Sequence, residues 1–420
     1  MSYIKNAVIR DLTIKGLEDG GVARLGDNIT VVLSIDYFES IFEPVFEFII
    51  RFTSREGVLS DVKLRGTEKV SIEISHDTGR LQFDDLVLTS FVQEESESTA
   101  NTFAIRLSPK DIINNEKNRV NKRYDPKGKA SVHVESILKS HIRTEFESDI
   151  EDTANADGFF GNYWRPFRAI YWLARRSISG SMPEDGGGSD RAGFLFWMTK
   201  SGYKFKSVDS IMSGKKDSKK VFQQSEVVDP GNENFDIHHP FFEYDQNIIS
   251  QMQNSMYGEK RKYFNTNTLD WGAPELTLSN EEVKQSSLGD QDRNLKVNYD
   301  INETPTPRSV VLVDDSTMRM DGIISDKGEN EYNPHKVITQ ARMRYQSLLS
   351  RSLRITVPYN LTLEAGDVIR TSLIKSLSGN DEWLSGYYII KDLRHGIHFT
   401  ESGIQCLTHL RLVRDTPGDA

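Results

Sequence analysis

Hydrophobic and polar residues alternate along short segments near the start of the chain. These segments are residues 8–15, 29–35, 46–52, 70–74 and 102–107. A period of two predicts strands with one buried face, and turn residues such as Gly20 and Gly21 suit the connections between them. We therefore expect residues 1–112 to form a small antiparallel sandwich or barrel.

The pattern changes beyond residue 112. Apolar residues recur at helical spacing over 134–142, and a second helix is predicted to start at Pro166, because proline suits the first helical position. Two apolar runs separated by a Ser-Gly turn then predict a hairpin over 194–206. This middle part of the chain has the character of an α/β unit.

The last ninety residues return to β character after one clear helix. Pro334 opens that helix, with Asn333 as the expected N-cap. Strands are predicted around 353–357, 367–369, 387–390 and 408–412. The fold class is therefore α+β and mainly β. The two β regions could be diverged copies of one barrel.

Composition narrows the classes of function. The 420 residues carry a net charge of -10, whereas a protein that grips phosphates has a basic balance, so nucleic-acid binding is disfavoured as the main task. Cys406 is the one cysteine, which excludes an internal disulfide and a cysteine-rich zinc site. The sequence shows neither a signal peptide nor an apolar run of transmembrane length, so we expect no membrane insertion.

Two loops superficially suggest ligand binding. The glycines at 186–188 are not followed by the Lys-Ser/Thr pair of a phosphate loop, so we interpret them as a flexible loop. Asn155, Asp157 and Gly158 fit three positions of a calcium loop. However, Thr153 stands at the opening ligand position and no glutamate closes the loop, which favours a solvated acidic segment.

Three histidines near the end of the chain leave one chemical alternative open. His395, His398 and His409 could approach each other on paired strands and bind a metal, although surface or packing roles are the simpler interpretation. No Gly-x-Ser-x-Gly motif is present, and no acid/base pair can be identified from sequence. We predict a non-enzymatic protein without cofactor or metal.

The middle of the chain resembles a known family of structural proteins. Residues 162–174, NYWRPFRAIYWLA, lead through a loop to GFLFW at 193–197 and then to GYKFKSVDSI at 202–211. This succession of a helix and a hairpin resembles the central baseplate hub proteins of contractile-tailed bacteriophages.

Two further stretches carry the same resemblance. The helix at 335–352 runs into ITVPYNLTLEAGDVI at 355–369, and YIIKDLRH at 388–395 is followed by THLRLVRD at 408–415. Together the matches extend over the latter two thirds of the chain. The first β region fits the family only by type and position.

The resemblance implies a domain plan. It implies two tail-tube-like antiparallel β-barrels with an α/β middle domain between them. The first barrel would be residues 1–112, and the middle domain would be 113–234 with a continuation at 271–330. The second barrel would combine 235–270 with 331–420, including a C-terminal β segment.

The resemblance also implies a function and partners. Such hubs are homotrimers whose six barrels form a pseudo-sixfold ring, which joins the hexameric tail tube to the trimeric central spike. The implied neighbours are the spike, the tube or tube-initiator proteins, the baseplate wedge proteins and the tape measure protein. Genomic DNA would pass through the bore without specific binding. The implied location is the tail baseplate of the virion, assembled in the host cytoplasm.

One segment is a candidate for subunit contacts. Apolar side chains are dense over residues 38–46, and in tube-like proteins a long hairpin in this region mediates ring contacts. We expect the segment to be interfacial, the alternative being ordinary core. The residues concerned are Phe38, Ile41, Phe42, Val45 and Phe46.

Two other functions remain open at this stage. The hub of another contractile injection machine, a secretion system or a tailocin, would carry the same features. A tail-associated cell-wall hydrolase belongs to a different class and would need a catalytic constellation that the sequence does not display.

Overall fold

The computed structural model describes most of the chain. The described residues are 7–17, 21–27, 30–54, 62–96, 101–180, 191–217, 221–224, 235–243, 247–265, 270–273, 275–277, 287–288, 306–309, 334–374, 381, 383–401 and 403–416. Six α-helices lie within these ranges. They are α1 Asp111–Lys117, α2 Ala130–Ile137, α3 Pro166–Ala174, α4 Val208–Ser213, α5 Ile248–Gln253 and α6 Pro334–Leu348.

Strands dominate the described part of the chain. The first ten are β1 Val8–Lys15, β2 Val22–Arg24, β3 Thr30–Ser40, β4 Glu47–Ser54, β5 Lys69–His76, β6 Gly79–Ser96, β7 Asn101–Pro109, β8 Ser148–Ile150, β9 Phe194–Thr199 and β10 Gly202–Ser207. The remaining ten are β11 Val221–Gln223, β12 Phe241–Glu243, β13 Gly258–Asn265, β14 Asp270–Gly272, β15 Glu275–Thr277, β16 Thr306–Ser309, β17 Arg351–Pro358, β18 Val368–Ser372, β19 Gly386–Thr400 and β20 Gly403–Arg414. The predicted α+β, mainly β class is confirmed.

One large sheet contains both β regions predicted from the sequence. Its strand order is β12-β17-β20-β19-β3-β4-β7-β6-β5-β1-β2, with β18 paired to β19 and β11 paired to β18. We call β1–β7 the first half of the sheet, and we call β11, β12 and β17–β20 the second half. In the described residues this path is open from β2 to β12, and neither half closes into a barrel. The sequence led us to expect two closed barrels.

The core of the first half includes a strictly alternating strand. Along β4 every second residue is buried, and Phe48, Ile50 and Phe52 are fully enclosed. Phe46, just before β4, joins Phe48 and the ring of Phe83 at centroid distances of 6.2 and 4.7 Å. Each such ring stabilises the fold by about 1.5–3 kcal/mol through removal of apolar area from water.

The middle part of the chain, from α1 to α4, contains a separate small sheet, and we call this part the middle unit. The predicted hairpin is present as β9 and β10, and β8 pairs parallel to β10. Helix α3 begins at Pro166, as predicted, and Phe167, Ile170 and Leu173 form its buried face. A further sheet, β14-β13-β15 with β16 on β13, lies between this unit and α6 along the chain.

Helix α6 begins at the predicted residue, Pro334, while its expected N-cap Asn333 lies outside the described residues. The glycines at 186–188 also lie outside them. Among the described helices, none combines the length and the apolar character needed to cross a membrane.

Candidate functional site

The junction between the two halves of the sheet is a single pair of strands. β3 pairs antiparallel with β19, so that Ser40 lies opposite Asp392 and Ser34 opposite His398. The partners are more than 350 positions apart in sequence. We call this pair the seam. Other contacts also join the two halves, such as the hydrogen bond from the N–H of Leu361 to the Thr78 hydroxyl at 2.9 Å.

A buried carboxylate holds the outer face of the seam. Asp36 on β3 is only 1% exposed. Its Oδ1 lies 2.8 Å from Nε of Arg394 and 3.2 Å from Nε2 of His398, both on β19. Arg51 on β4 approaches the other oxygen at 3.9 Å. This arrangement links three adjacent strands through one acidic group and favours a single register, because a one-residue slip would bury Asp36 without partners.

A second buried carboxylate joins three separate segments. Glu39 accepts a hydrogen bond from the Tyr37 hydroxyl at 2.6 Å. It also accepts the backbone N–H of Lys200 and that of Ala365, each at 2.8 Å. Lys200 lies in the β9–β10 turn and Ala365 in the turn before β18. Glu39 therefore connects the first half, the middle unit and the second half, and we call this cluster the Glu39 node.

The protonation of Glu39 is finely balanced. Burial raises the pKa of its carboxyl most strongly, and the nearby Glu364 raises it further. The three hydrogen bonds from Tyr37, Ala365 and Lys200 oppose this because they stabilise the anion. The resulting pKa is about 7, well above the ordinary 4.5. The carboxyl of Glu39 therefore changes its charge near neutral pH.

The turn before β18 docks closely on the hairpin of the middle unit. Trp197 donates its indole N–H to the carbonyl of Ala365 at 2.9 Å, and Thr199 donates to Glu364 at 2.9 Å. Gly366 has φ +93°, and a Cβ there would lie 2.6 Å from the Trp197 ring. Glycine is thus required both for the backbone conformation and for the close approach.

One buried arginine draws together the three stretches that carried the family resemblance. Arg344 on α6 has no exposed side-chain surface and lies 2.8 Å from Asp209 and 3.5 Å from Asp415. Asp209 belongs to the stretch at 202–211, and Asp415 ends the stretch at 408–415. Removing one partner of such a buried group is costly because it leaves the opposite charge desolvated.

The predicted interfacial segment is divided between core and surface. Ile41 and Phe46 are fully buried, whereas Phe38, Phe42 and Val45 are half-buried. Ile41 packs in a cluster with Trp197 of the middle unit. The carbonyl of Phe42 accepts a hydrogen bond from the Tyr171 hydroxyl at 3.1 Å. Part of the segment therefore already contacts the rest of this chain.

A cleft of about 1160 Å³ opens beside the seam. Phe38 and Val45 lie on its wall together with Phe241, which is 62% exposed. Charged residues of both signs also line it: Glu43, Glu47, Arg354, Asp392, Arg394 and Arg411. Two half-buried members of the predicted segment, Phe38 and Val45, thus face a charged, partly apolar concave surface.

The three histidines do not converge on one point. His395 lies opposite Thr408 on the core face, 2.9 Å from that hydroxyl, and its ring stacks on Tyr37. Burial lowers the pKa of His395 to about 3. His398 contacts Asp36, and His409 lies 3.0 Å from the Thr356 hydroxyl. Within the described ranges, no group of three potential metal ligands is assembled.

The other sequence candidates have structural roles. Cys406 is buried and its sulfur accepts the N–H of Ala7 at 3.4 Å, while burial raises the pKa of the thiol. Asn155 holds its own loop by donating to the carbonyl of Arg176 and accepting from the N–H of Ile178. Its amide is therefore engaged in hydrogen bonds within the protein.

One of the buried charged groups, Arg344, is indicated by the sequence pattern. Arg344 lies three residues after Ala341 and four before Leu348, so it occupies the predicted inner stripe of α6. A basic residue on a buried stripe indicates a buried acidic partner. Glu39 stands within the predicted apolar segment, but two of its three partners, Lys200 and Ala365, are distant in sequence.

Comparisons with known proteins give matches in structure alone. No family model and no curated protein sequence matches the chain. The tail protein from Neisseria meningitidis MC58 matches with a TM-score of 0.55 and 11% identity over 98% of this chain and 97% of that one. The 43 kDa tail protein of prophage MuSo2 from Shewanella oneidensis matches with a TM-score of 0.52 and 9% identity over 97% of this chain and 100% of that one.

A third match is longer than this chain. A chain in the lidded Francisella PdpA–VgrG complex matches with a TM-score of 0.50 and 11% identity over 100% of this chain but 54% of that chain. At such identities the matches establish the fold and nothing more. The chain has the fold of phage tail proteins, and its resemblance to the baseplate hub family is confirmed at the level of the fold.

Proposed function

We propose that this protein is the structural hub of a contractile tail baseplate, located in the virion. The observation that carries the proposal is the seam: two β halves are joined into one sheet, with buried charged groups fixing the junction. A full-length match to two tail proteins supports a structural role in a tail rather than a catalytic one. A rigid subunit with two β modules is what a connector between rings of different symmetry requires.

The symmetry argument gives the proposed assembly. Each half of the sheet would act as one tube-like module, so that three chains present six modules to a hexameric tube while the trimer offers three equivalent sites to a spike. The domain plan expected from the sequence belongs to this proposal, with the middle unit as a brace between the modules. DNA would pass through the bore, and the spike, tube, wedge and tape measure proteins would be the neighbours.

The proposed subunit contact uses the half-buried residues of the predicted segment. Phe38 and Val45, on the wall of the cleft, would meet a neighbouring chain together with the exposed Phe241. Ile41 and Phe46 would support this surface from inside, since they are fully buried. A concave surface with both signs of charge suits a specific contact, because mismatched partners would bury unpaired charges.

Light scattering on the purified protein, alone and with its candidate spike, tests the proposal. A mass three times 47.9 kDa for the protein alone, or a complex with the spike that contains three copies of the chain, supports the hub. A monomer that ignores the spike would contradict it.

Two alternatives have separate tests. The match to a chain in the PdpA–VgrG complex favours the hub of another contractile injection machine as the second candidate. Incorporation into purified tails, as opposed to a secretion apparatus, separates the two. A zymogram on bacterial cell walls tests the hydrolase, and clearing by the pure protein would contradict a non-catalytic role.

A further inference from the structure

Two paired segments of the middle unit carry a group of exposed basic and aromatic side chains. Its members come from two segments, 119–124 and 158–168. All are exposed to solvent. We call it the basic aromatic surface, and its residues are Lys122, Arg123, Phe160, Tyr163, Arg165 and Arg168.

The two segments are held together by backbone hydrogen bonds. Val120 bridges to Trp164 and Arg123 bridges to Phe160. The N–H of Gly161 donates to the carbonyl of Lys122 at 3.0 Å. A Cβ on Gly161 would lie 2.4 Å from Val120, so glycine allows the two backbones to approach this closely. The backbone that carries the basic aromatic surface is therefore fixed by these hydrogen bonds.

The backbone at residues 162–163 is strained. Asn162 and Tyr163 are consecutive residues in the left-handed region, with φ of +45° and +59°. For residues other than glycine this conformation costs about 1–2 kcal/mol each. Strain of this kind persists where the surrounding structure enforces it, and it concentrates at binding sites. Here it leaves Tyr163 66% and Phe160 41% exposed.

The local charge opposes that of the whole chain. Residues 116–129 contain six lysines or arginines against Glu116 and Asp125, although the net charge of the chain is -10. Arg165 pairs with Glu116 at 2.9 Å, and Asp125 accepts the N–H of Lys127 within its own turn. A basic patch on an acidic protein attracts an acidic partner and sets its orientation.

The aromatic residues favour a protein partner over a nucleic acid. Single-stranded nucleic acids stack their bases on bare aromatic faces. The Trp164 and Trp172 rings are covered by Arg168 at 5.4 Å and Arg176 at 4.1 Å. The exposed pair, Phe160 and Tyr163, lies on the same two paired segments as Arg123, Arg165 and Arg168. Tyrosine and arginine are enriched among the residues that contribute most to binding at protein interfaces.

We propose that the basic aromatic surface is a docking site for an acidic protein segment that carries aromatic side chains among its carboxylates. The carboxylates would pair with Arg123 and Arg168, and the aromatic groups would pack on Tyr163 and Phe160. The proposal stands on the middle unit alone and holds whether or not the chain is a tail hub.

The test uses the full chain and three polymer probes at physiological salt. The probes are a random Glu–Tyr copolymer, polyglutamate and poly(dT), and binding is measured by fluorescence anisotropy. We expect the Glu–Tyr copolymer to bind more tightly than either of the others. Tighter binding of poly(dT), or no binding of the copolymer, would overturn the proposal.

Charge reversal tests the basic residues. The double variant Arg123→Glu, Arg168→Glu should weaken binding of the copolymer at least about tenfold. The matched control, Lys69→Glu with Arg80→Glu, changes the net charge equally on exposed strands of the first half. Equal losses in both double variants would mean that only the total charge matters, and the proposal would fail.

The variant Tyr163→Gly distinguishes a role of Tyr163 in binding from an effect on stability. Glycine relieves the left-handed strain, so the thermal midpoint should stay the same or rise. Binding of the copolymer should nevertheless fall at least about fivefold, with binding of polyglutamate less affected, because an aromatic contact is lost. A raised midpoint with unchanged binding would show that Tyr163 takes no part in docking.

Discussion

Strand β3 shows two ways of holding a protein together, by apolar packing and by buried polar groups. The Tyr37 ring packs on Phe46 and Phe48 at centroid distances of 5.4 and 4.7 Å. Asp36 and Glu39 instead hold the seam and the middle unit through ion pairs and hydrogen bonds. The apolar interior supplies most of the stability. The buried polar groups contribute less stability. However, their hydrogen bonds and ion pairs form in only one arrangement of the segments, and other arrangements would bury these groups without partners.

The largest expected effect is in the apolar interior. Phe46→Ala should lower the free energy of unfolding by about 3–5 kcal/mol because it leaves a cavity in the aromatic cluster. Chemical denaturation measures this. Phe38→Ala, on the half-buried wall of the cleft, is the control and should cost far less. Equal costs would contradict the division of the predicted segment into core and surface.

Arg344→Met should cost about 3 kcal/mol, since Asp209 and Asp415 would be left buried without their cation. The triple variant Arg344→Met, Asp209→Asn, Asp415→Asn should recover part of the loss, as it removes the charges together. Urea denaturation of the two variants provides the comparison. Additive losses in the triple variant would show that the three groups do not act as one unit.

The Glu39 node should make stability depend on pH. The folded-state pKa of about 7 exceeds the ordinary 4.5, so the folded protein binds the extra proton between these values. Its contribution is complete below about pH 4.5 and is lost as the pH rises through 7, by about 3 kcal/mol in total. Denaturation between pH 5 and pH 8 should show this decline in the wild type.

Glu39→Gln serves as the matched variant for that decline. Its one carbonyl oxygen cannot replace both carboxylate oxygens: where it keeps Tyr37 and Lys200, the NH2 group faces the N–H of Ala365. At pH 5 the variant should therefore be less stable than the wild type by about 1–3 kcal/mol. The difference should narrow towards pH 8, because the variant has no proton to lose at this position. A pH profile parallel to that of the wild type would exclude Glu39 as the titrating group.

The smallest expected effect on stability concerns the turn before β18. Gly366→Ala should cost about 1–2 kcal/mol through the strained φ and the contact with Trp197. Hydrogen exchange should show faster opening of the segment around Ala365, while exchange in β4 remains slow. Uniform acceleration across the first half would indicate that the turn supports more than the seam.

Local features of the fold were predictable, and long-range pairing was not. Alternation identified strands such as β1, β3 and β4 but not the long strand β6. Pro166 and Pro334 marked where two helices begin, because these signals lie within a few residues. The pairing of β3 with β19 depends on residues such as Asp36 and Arg394, which are 358 positions apart. No local pattern encodes that register. The same limit separates Ile41 and Phe46 from their half-buried neighbours, since burial depends on the middle unit.

Electron microscopy of the purified assembly, viewed along its axis, tests the central claim most directly. If the seam fixes two comparable modules in each chain, three chains should form a ring with six similar lobes around an open bore. A ring with three lobes, or particles of a single chain in the presence of the spike, would contradict the account.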